Sequence, residues 1–239
     1  MSVCGLLLRR SAWQRGGMIS VVIPAKNVEA TLPATLTALV PAAVDGFVRE
    51  VIVVDGGSTD RTREIADQAG AEVVPAHDNR GDQLRAGAQK ARHRWLLFLN
   101  ADTSIESDWE REASQFMQRV DIGSARYSAA AFRFALDDEG LAPRALETLV
   151  RLRSSVMRLP YGEQGLLIPR STYDAVGGHR SMPLMEDFDL VRRIGVRRIK
   201  LLRARAITSA QPYRHDGYLR RALANQIQRL RYTLHLAPS

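Results

Sequence analysis

The stretch Glu50-Val51-Ile52-Val53-Val54-Asp55-Gly56-Gly57-Ser58-Thr59-Asp60 decides the fold. From Val51 to Val54 every residue is apolar, without the alternation of a half-solvated strand. That pattern predicts a strand buried on both faces, as in a parallel sheet covered by helices. Gly56-Gly57 breaks the strand. Ser58-Thr59-Asp60 then offers the side-chain oxygens that cap a helix start, and the helix runs through Ala69 to a stop at Gly70. Ala71-Glu72-Val73-Val74 returns as a third strand.

The same alternation of elements extends both ways. Upstream, Met18-Ile19-Ser20-Val21-Val22-Ile23 is a β-branched strand ended by Pro24. A helix over 30–40 carries Leu32, Leu36 and Leu39 on one face, with Pro33 in its first turn. Downstream, a helix over 82–94 leads into the strand Trp95-Leu96-Leu97-Phe98-Leu99 and then Asn100-Ala101-Asp102-Thr103. Four strands and three helices with short connections make an α/β fold with a mostly parallel central sheet flanked by helices. Ligands of such sheets bind at the carboxyl ends of the strands. Pro24-Ala25-Lys26-Asn27, Asp55-Gly56-Gly57 and Asn100-Ala101-Asp102 are therefore expected around one crevice.

The second half is less regular. It reads as helices over 106–118, 142–159, 185–194 and 217–236, with strands over 129–136, 165–168 and 199–203. No repeat, low-complexity tract or interdomain linker is visible, so residues 18–239 are expected to form one domain. Residues 1–17 read as a disordered extension. Leu6-Leu7-Leu8 is too short for a secretory signal, and Arg9-Arg10 follows the apolar run rather than preceding it.

The composition, 45% hydrophobic and 25% charged over 239 residues, is that of a globular chain. The single cysteine, Cys4, excludes a disulfide framework and a cysteine zinc site, and fits a reducing compartment. No apolar run approaches the length of a membrane-spanning helix. The formal charge of +8 is unevenly placed: residues 191–239 hold 12 Arg and Lys against one acid, Asp216, while the first 190 hold 22 basic and 25 acidic residues. An acid-leaning body with a basic tail implies an anionic partner.

A glycine-rich G-x-G-x-x-G turn after the first strand is missing, and so is a P-loop, so any nucleotide is held on another plan. Four segments in order resemble the landmarks of glycosyltransferase family 2: Ile23-Pro24-Ala25-Lys26-Asn27, Val53-Val54-Asp55-Gly56-Gly57-Ser58-Thr59-Asp60, Leu99-Asn100-Ala101-Asp102 and Met185-Glu186-Asp187. The resemblance runs from about Met18 to the C-terminus. Leu159-Pro160-Tyr161-Gly162-Glu163-Gln164-Gly165-Leu166 and Leu184-Met185-Glu186-Asp187 further resemble a bacterial subgroup labelled arsenosugar-biosynthesis glycosyltransferases.

The resemblance implies a GT-A fold with an acceptor-side helical region at the C-terminus. It also implies an inverting transfer from a nucleotide-diphosphate sugar, a UDP-sugar by first expectation, to an acceptor hydroxyl. Asp55 would read a uracil ring N–H, with Pro24, Ala25, Lys26, Asn27 and Gly56 lining the base pocket. Asn100 stands where the family has an acid, and can still hydrogen-bond ribose beside Ala101. Asp102 would hold Mg²⁺ or Mn²⁺ bridging the diphosphate, an oxygen site as hard cations require. Arg80 and Arg85 would touch phosphate. Asp187, with Glu186 second, would take the acceptor proton as general base. His215 is a further metal candidate, and Tyr161, Glu163 and Gln164 fall on an acceptor loop.

Plainer readings stand beside each. Asp55 to Asp60 can be a turn and a cap, Asp102-Thr103 a cap for the next helix, and Arg80 and Arg85 surface ion pairs. Glu186-Asp187 can be acids drawn to a helix N-terminus by its dipole. The basic tail can be solvated surface, a seat for anionic lipid, or a cover for the diphosphate. A lipid-linked acceptor and a cytoplasmic location, peripheral to the inner face of the membrane, are the expectations. Two other functions compete: a basic nucleic-acid-binding protein, disfavoured by an acid-rich crevice and the lack of recognition motifs, and a catalytically silent membrane-associated scaffold of the same fold.

Overall fold

The computed structural model describes residues 18–138 and 164–211, with Gly140, Pro143, Arg144 and Thr148 between them. The extension over 1–17, all but Pro143, Arg144 and Thr148 of the helix over 142–159, the helix over 217–236, Tyr161, Glu163 and His215 lie outside the described residues.

The first half alternates strand and helix: β1 (Ile19–Ala25), α1 (Leu32–Val44), β2 (Val48–Asp55), α2 (Thr62–Gln68), β3 (Glu72–Pro75), α3 (Arg80–Lys90) and β4 (Trp95–Phe98). The second half adds β5 (Thr103–Ile105), α4 (Trp109–Asp121), β6 (Ala129–Asp137), β7 (Leu166–Pro169), α5 (Arg170–Ala175), α6 (Glu186–Ile194) and β8 (Ile199–Ser209). All strands join one eight-stranded sheet in the order β3-β2-β1-β4-β7-β6-β8-β5. β3, β2, β1 and β4 run parallel. β7 then pairs antiparallel to both β4 and β6, β6 runs parallel to β8, and β5 closes the edge antiparallel to β8.

The continuous apolar strands have a direct cause: each face of the sheet is covered. Val21, Val53, Leu97 and Leu167 pack on one side with Leu32 and Leu39 of α1 and Trp109 and Phe116 of α4. Val22, Ile52, Leu96 and Ile168 pack on the other with Leu84 of α3 and Leu190 and Ile194 of α6. Gly87 lets α3 lie close on the sheet, since a Cβ there would stand 2.3 Å from Val22 Cγ1.

Several elements depart from the sequence expectation: α5 has no counterpart in it, and α3 spans Arg80–Lys90 rather than 82–94. Thr103 opens β5 instead of capping a helix, and its backbone pairs with Thr208. The following helix begins at Trp109. β8 continues to Ser209, well past the expected end at 203. The β6–β8 ladder shifts register between Ala131 and Arg133. There Glu112 Oε2 accepts the Arg203 and Ala204 N–H groups, at 2.6 and 3.2 Å. A carboxylate thus satisfies backbone donors beside the register shift. Among the described residues no helix is long and apolar enough to cross a membrane.

Candidate active site

The carboxyl ends of β1, β2 and β4 meet as the topology requires. Ala25 and Asp55 are register partners on parallel strands, and the Gly56 N–H donates to the Ala25 carbonyl at 2.8 Å. Gly56 sits tightly, because a Cβ there would fall 2.2 Å from Gln83 Nε2. The two loops beyond are laced together. The Asn27 N–H donates to Ser58 Oγ at 3.0 Å, and Asn27 Oδ1 accepts the Thr59 N–H at 2.9 Å. Asn27 holds φ 51°, a left-handed conformation that Asn tolerates better than most side chains. Lys26 forms an ion pair with Asp78.

Asp55 is fully buried. It accepts the Gly57 and Ser58 N–H groups, the latter at 3.1 Å, and Arg63 Nε–H at 2.6 Å. Burial opposes its ionisation, but the bonds from Ser58 and Arg63 win and hold its carboxyl below the usual range. The turn reading of this segment is therefore realised. Asp60 also acts locally, its Oδ1 accepting the Thr62 N–H at the start of α2.

Arg80 joins the two halves of the chain. Asn79 caps α3, its Oδ1 accepting the Asp82 N–H at 3.2 Å, which fixes where Arg80 begins the helix. The Arg80 Nε–H donates to Glu186 Oε1 at 2.6 Å, and its Nη2 donates to Asn100 Oδ1. Asp187 and Asp102 also act on it electrostatically. Burial opposes its charge, and these acids more than restore it, so its pKa rises. Arg85 is placed differently, paired with Asp82 at 2.9 Å on the exposed side of α3.

Asp102 is half-buried and accepts the Thr103 hydroxyl at 3.2 Å, while its carbonyl accepts the Ser209 N–H. The Ala101 carbonyl accepts Thr35 Oγ1–H at 3.0 Å. Together these bonds pin the Asn100-Ala101-Asp102 turn between α1 and β8. Among the described residues no three His, Cys, Asp or Glu side chains form a metal cage. Asp102 alone fits a hard cation only if further oxygens come from a ligand or water.

Glu186 and Asp187 are the first two residues of α6, after Met185 at φ 65°. They do meet the helix dipole, as the plainer reading holds, yet each also has a specific partner. Glu186 is nearly buried, at 4% side-chain exposure. Burial, then the neighbouring Asp187 charge, pushes its carboxyl up to about 7 against the pull of Arg80. Asp187 retains 16% exposure, and His179 Nε2 lies 3.2 Å from its Oδ1. Burial opposes its ionisation, but the His179 bond and Arg80 outweigh it and keep its carboxyl low.

Sequence reasoning did not reach His179, Tyr173, Gly81 or Arg63. His179 follows Gly177-Gly178, both at positive φ, on the loop that leads to Asp187 in the first turn of α6. A histidine behind a glycine pair and ahead of Met-Glu-Asp was the available signal. Gly81 could not be flagged without the fold: the loop it touches, at Arg180 and Met182, is about a hundred residues away in sequence. Gln164 is buried and donates Nε2–H to the Phe132 carbonyl at 2.9 Å.

A parallel nucleotide-type half, joined through an antiparallel strand to a second half that delivers an acidic helix start to the same crevice, is the GT-A arrangement of glycosyltransferases. The sequence model described as glycosyl transferase family 2 matches residues 20–182, and the chain belongs to that family. A PGL/p-HBAD biosynthesis glycosyltransferase of Mycobacterium bovis (strain BCG / Pasteur 1173P2) is 37% identical over 108 residues, 42% of this chain and 41% of that relative. A glucosyl-3-phosphoglycerate synthase of Mycobacterium tuberculosis is 36% identical over 100 residues, 38% of this chain and 31% of the relative. The matches thus span less than half of either relative's length. A crystal structure of the Mycobacterium tuberculosis glucosyl-3-phosphoglycerate synthase with phosphoglyceric acid superposes with TM-score 0.64 at 20% identity, over 98% of this chain and 85% of that one. Another, in complex with Mn²⁺, uridine-diphosphate and glucosyl-3-phosphoglycerate, gives 0.58 at 20% identity over 85% of this chain and 74% of that one.

Proposed function

We propose that this chain is an inverting, metal-dependent glycosyltransferase that moves a sugar from a nucleotide-diphosphate donor to an acceptor hydroxyl. One observation carries the reading: Arg80 hydrogen-bonds both Asn100, at the end of β4, and Glu186, at the start of α6. It thereby gathers Asp102, Glu186 and Asp187 around one guanidinium. Glu186 keeps its proton to about pH 7, so Asp102 and Asp187 outweigh the one cation, and that negative excess favours a divalent ion at the site.

In this reading Asp102 holds Mg²⁺ or Mn²⁺, which supplies charge stabilisation for the departing diphosphate. Asn100 hydrogen-bonds ribose beside Ala101. Pro24, Ala25, Lys26, Asn27 and Gly56 line the base pocket, and Asp55, fully buried beneath Arg63, reads the base once that half-exposed side chain swings aside. Arg80 steadies phosphate oxygens. Asp187, ionised and partly accessible, takes the acceptor proton. UDP-glucose is the donor to try first, because the structurally similar synthase has been solved with Mn²⁺ and uridine-diphosphate-glucose. The basic part over 191–239, with Arg192, Arg197, Arg198 and Arg203 exposed, is proposed to rest on an anionic lipid surface near the acceptor.

The test is thermal unfolding with a panel of nucleotide sugars, UDP-glucose first, with and without Mn²⁺. At about a hundred times its Kd a donor adds about 2.7 kcal/mol, or about 5–10 °C in Tm for a chain of this size. Asp102→Ala should lose the metal-dependent part of the shift. Asp187→Asn should keep the shift and lose donor turnover. A panel in which no donor raises Tm would overturn the proposal.

A further inference from the structure

Behind Asp187 lies a buried chain of polar groups that the catalytic reading does not use. Tyr173, on α5, and His179 are both buried. The His179 backbone N–H donates to Tyr173 Oη at 3.0 Å. The same oxygen stands 3.1 Å from His179 Nδ1. Having accepted the backbone proton, the hydroxyl has its own proton to give, and Nδ1 is the acceptor beside it. That leaves the ring proton on Nε2, which faces Asp187 Oδ1 at 3.2 Å.

Packing fixes the ring as firmly as the hydrogen bonds do. Phe98 meets the imidazole edge-on, with centroids 4.7 Å apart at 81°, and packs against the Tyr173 ring at 5.2 Å with a 34° tilt. The loop can fold over the phenol only because position 178 is glycine: a Cβ there would stand 2.8 Å from the Tyr173 ring. Burial pushes the Tyr173 hydroxyl up to about 12, so it stays a proton donor across the working range.

We propose that His179 is a positioning residue for Asp187, holding Oδ1 through Nε2–H in the tautomer that Tyr173 imposes and so presenting Oδ2 to the acceptor. This rests on the glycosyl-transfer reading. In the step it serves, the acceptor O–H breaks and its proton goes to Asp187 Oδ2. The acceptor oxygen bonds the anomeric carbon, and the bond from that carbon to the diphosphate oxygen breaks, its electron pair leaving with the diphosphate. His179 keeps its proton throughout.

Two measurements test it, and they fail separately. The first needs no sugar. In ¹⁵N-histidine-labelled protein, His179 should show a protonated Nε2 and an unprotonated Nδ1. Asp187→Asn should move the Nε2–H signal, and Tyr173→Phe should lose the single tautomer. A protonated Nδ1 in the wild type, or an Nε2 signal indifferent to Asp187→Asn, overturns the assignment whatever the reaction is. The second follows UDP-glucose hydrolysis with Mn²⁺, water replacing the acceptor. His179→Leu should lower kcat about 10- to 100-fold with KM for UDP-glucose unchanged, the scale of a misplaced reacting group. His179→Gln keeps an N–H donor at that reach and should recover most of the rate. Equal losses in both variants, or full kcat in the Leu variant, would also overturn it. If wild type neither binds nor turns over any donor, the transfer reading fails, and the tautomer measurement still decides what His179 does.

Discussion

Two adjacent carboxylates at one helix start repel each other, and here different partners resolve the conflict. Asp187 pairs with His179 Nε2 and stays ionised, while Glu186, deeper and pressed by that charge, holds its proton to about pH 7 despite Arg80. The consequence for stability has a definite sign. In the unfolded chain Glu186 ionises near 4.5, and in the folded chain near 7. Below 4.5 it is protonated in both states. Between those values the unfolded state loses its proton first, so folding loses stability as pH rises, levelling above 7. Glu186→Gln removes this slope. Chemical denaturation at pH 5 and pH 8 should show the variant gaining about 2 to 3 kcal/mol on the wild type over that interval. Asp187 works in the opposite direction, with stability lost only as pH falls through its lowered value, outside this window. A difference between variant and wild type that does not change with pH would mean Glu186 is an ordinary carboxyl.

At the level of elements, α3 acts as a strut with a glycine at each contact. Gly87 seats it on Val22 and Val54 in the core. Gly81 seats its first turn against the loop that carries His179: its N–H donates to the Met182 carbonyl at 3.0 Å, and a Cβ would lie 2.0 Å from the Arg180 carbonyl. Ser181 Oγ–H reinforces the joint by donating to Asp82 Oδ2 at 2.8 Å. Either Gly→Ala change overpacks and should cost about 1–3 kcal/mol. Their effects on turnover should differ. Gly87→Ala should lower Tm and leave donor hydrolysis per folded molecule near normal, whereas Gly81→Ala should also cut kcat, because it displaces the loop bearing His179. Equal kcat in the two variants would show that the joint does not position the site. The parallel half was legible because its strands are unbroken apolar runs punctuated by glycine, Pro24 and capping side chains. β5 was not, since Thr103-Ser104-Ile105 has too few residues to show a period and its partner Ile207 is about a hundred residues away. The end of β8 was hidden by Arg203 and Arg205. They read as surface charge, and the Glu112 and Glu106 side chains that receive their backbone N–H groups come from distant positions. The acids of the site were legible as motif residues. The partners that set their charge, Arg80 excepted, were not, because His179 acts through a contact made only by the folded loop.

Over the whole molecule the charge is divided as the chemistry is. Every proposed site residue lies in the first 190 residues, where acids outnumber bases, and the excess of Arg and Lys begins with Arg192 on the last turn of α6. That excess therefore says little about the transfer itself and more about where the crevice is held. Arg197 and Arg198, exposed on the turn between α6 and β8, belong to a basic tract that continues to Arg231. If the tract seats the protein on lipid, binding should need anionic headgroups and fade with salt, because each Arg near such a surface adds about 1 kcal/mol and the Debye length shrinks from about 10 Å at 0.1 M to about 3 Å at 1 M. Sedimentation with phosphatidylserine-containing vesicles at low salt should carry the full chain down, and neutral phosphatidylcholine vesicles should not. Arg197→Glu with Arg198→Glu replaces two attractions by two repulsions and should weaken binding at least about 30-fold, by the same scale. Donor-induced thermal stabilisation should be unaffected, since neither residue belongs to the crevice. Equal binding to neutral vesicles, or an unchanged vesicle affinity in the double variant, would leave the tract as solvated surface and remove the lipid seat from the proposal without touching the transfer chemistry.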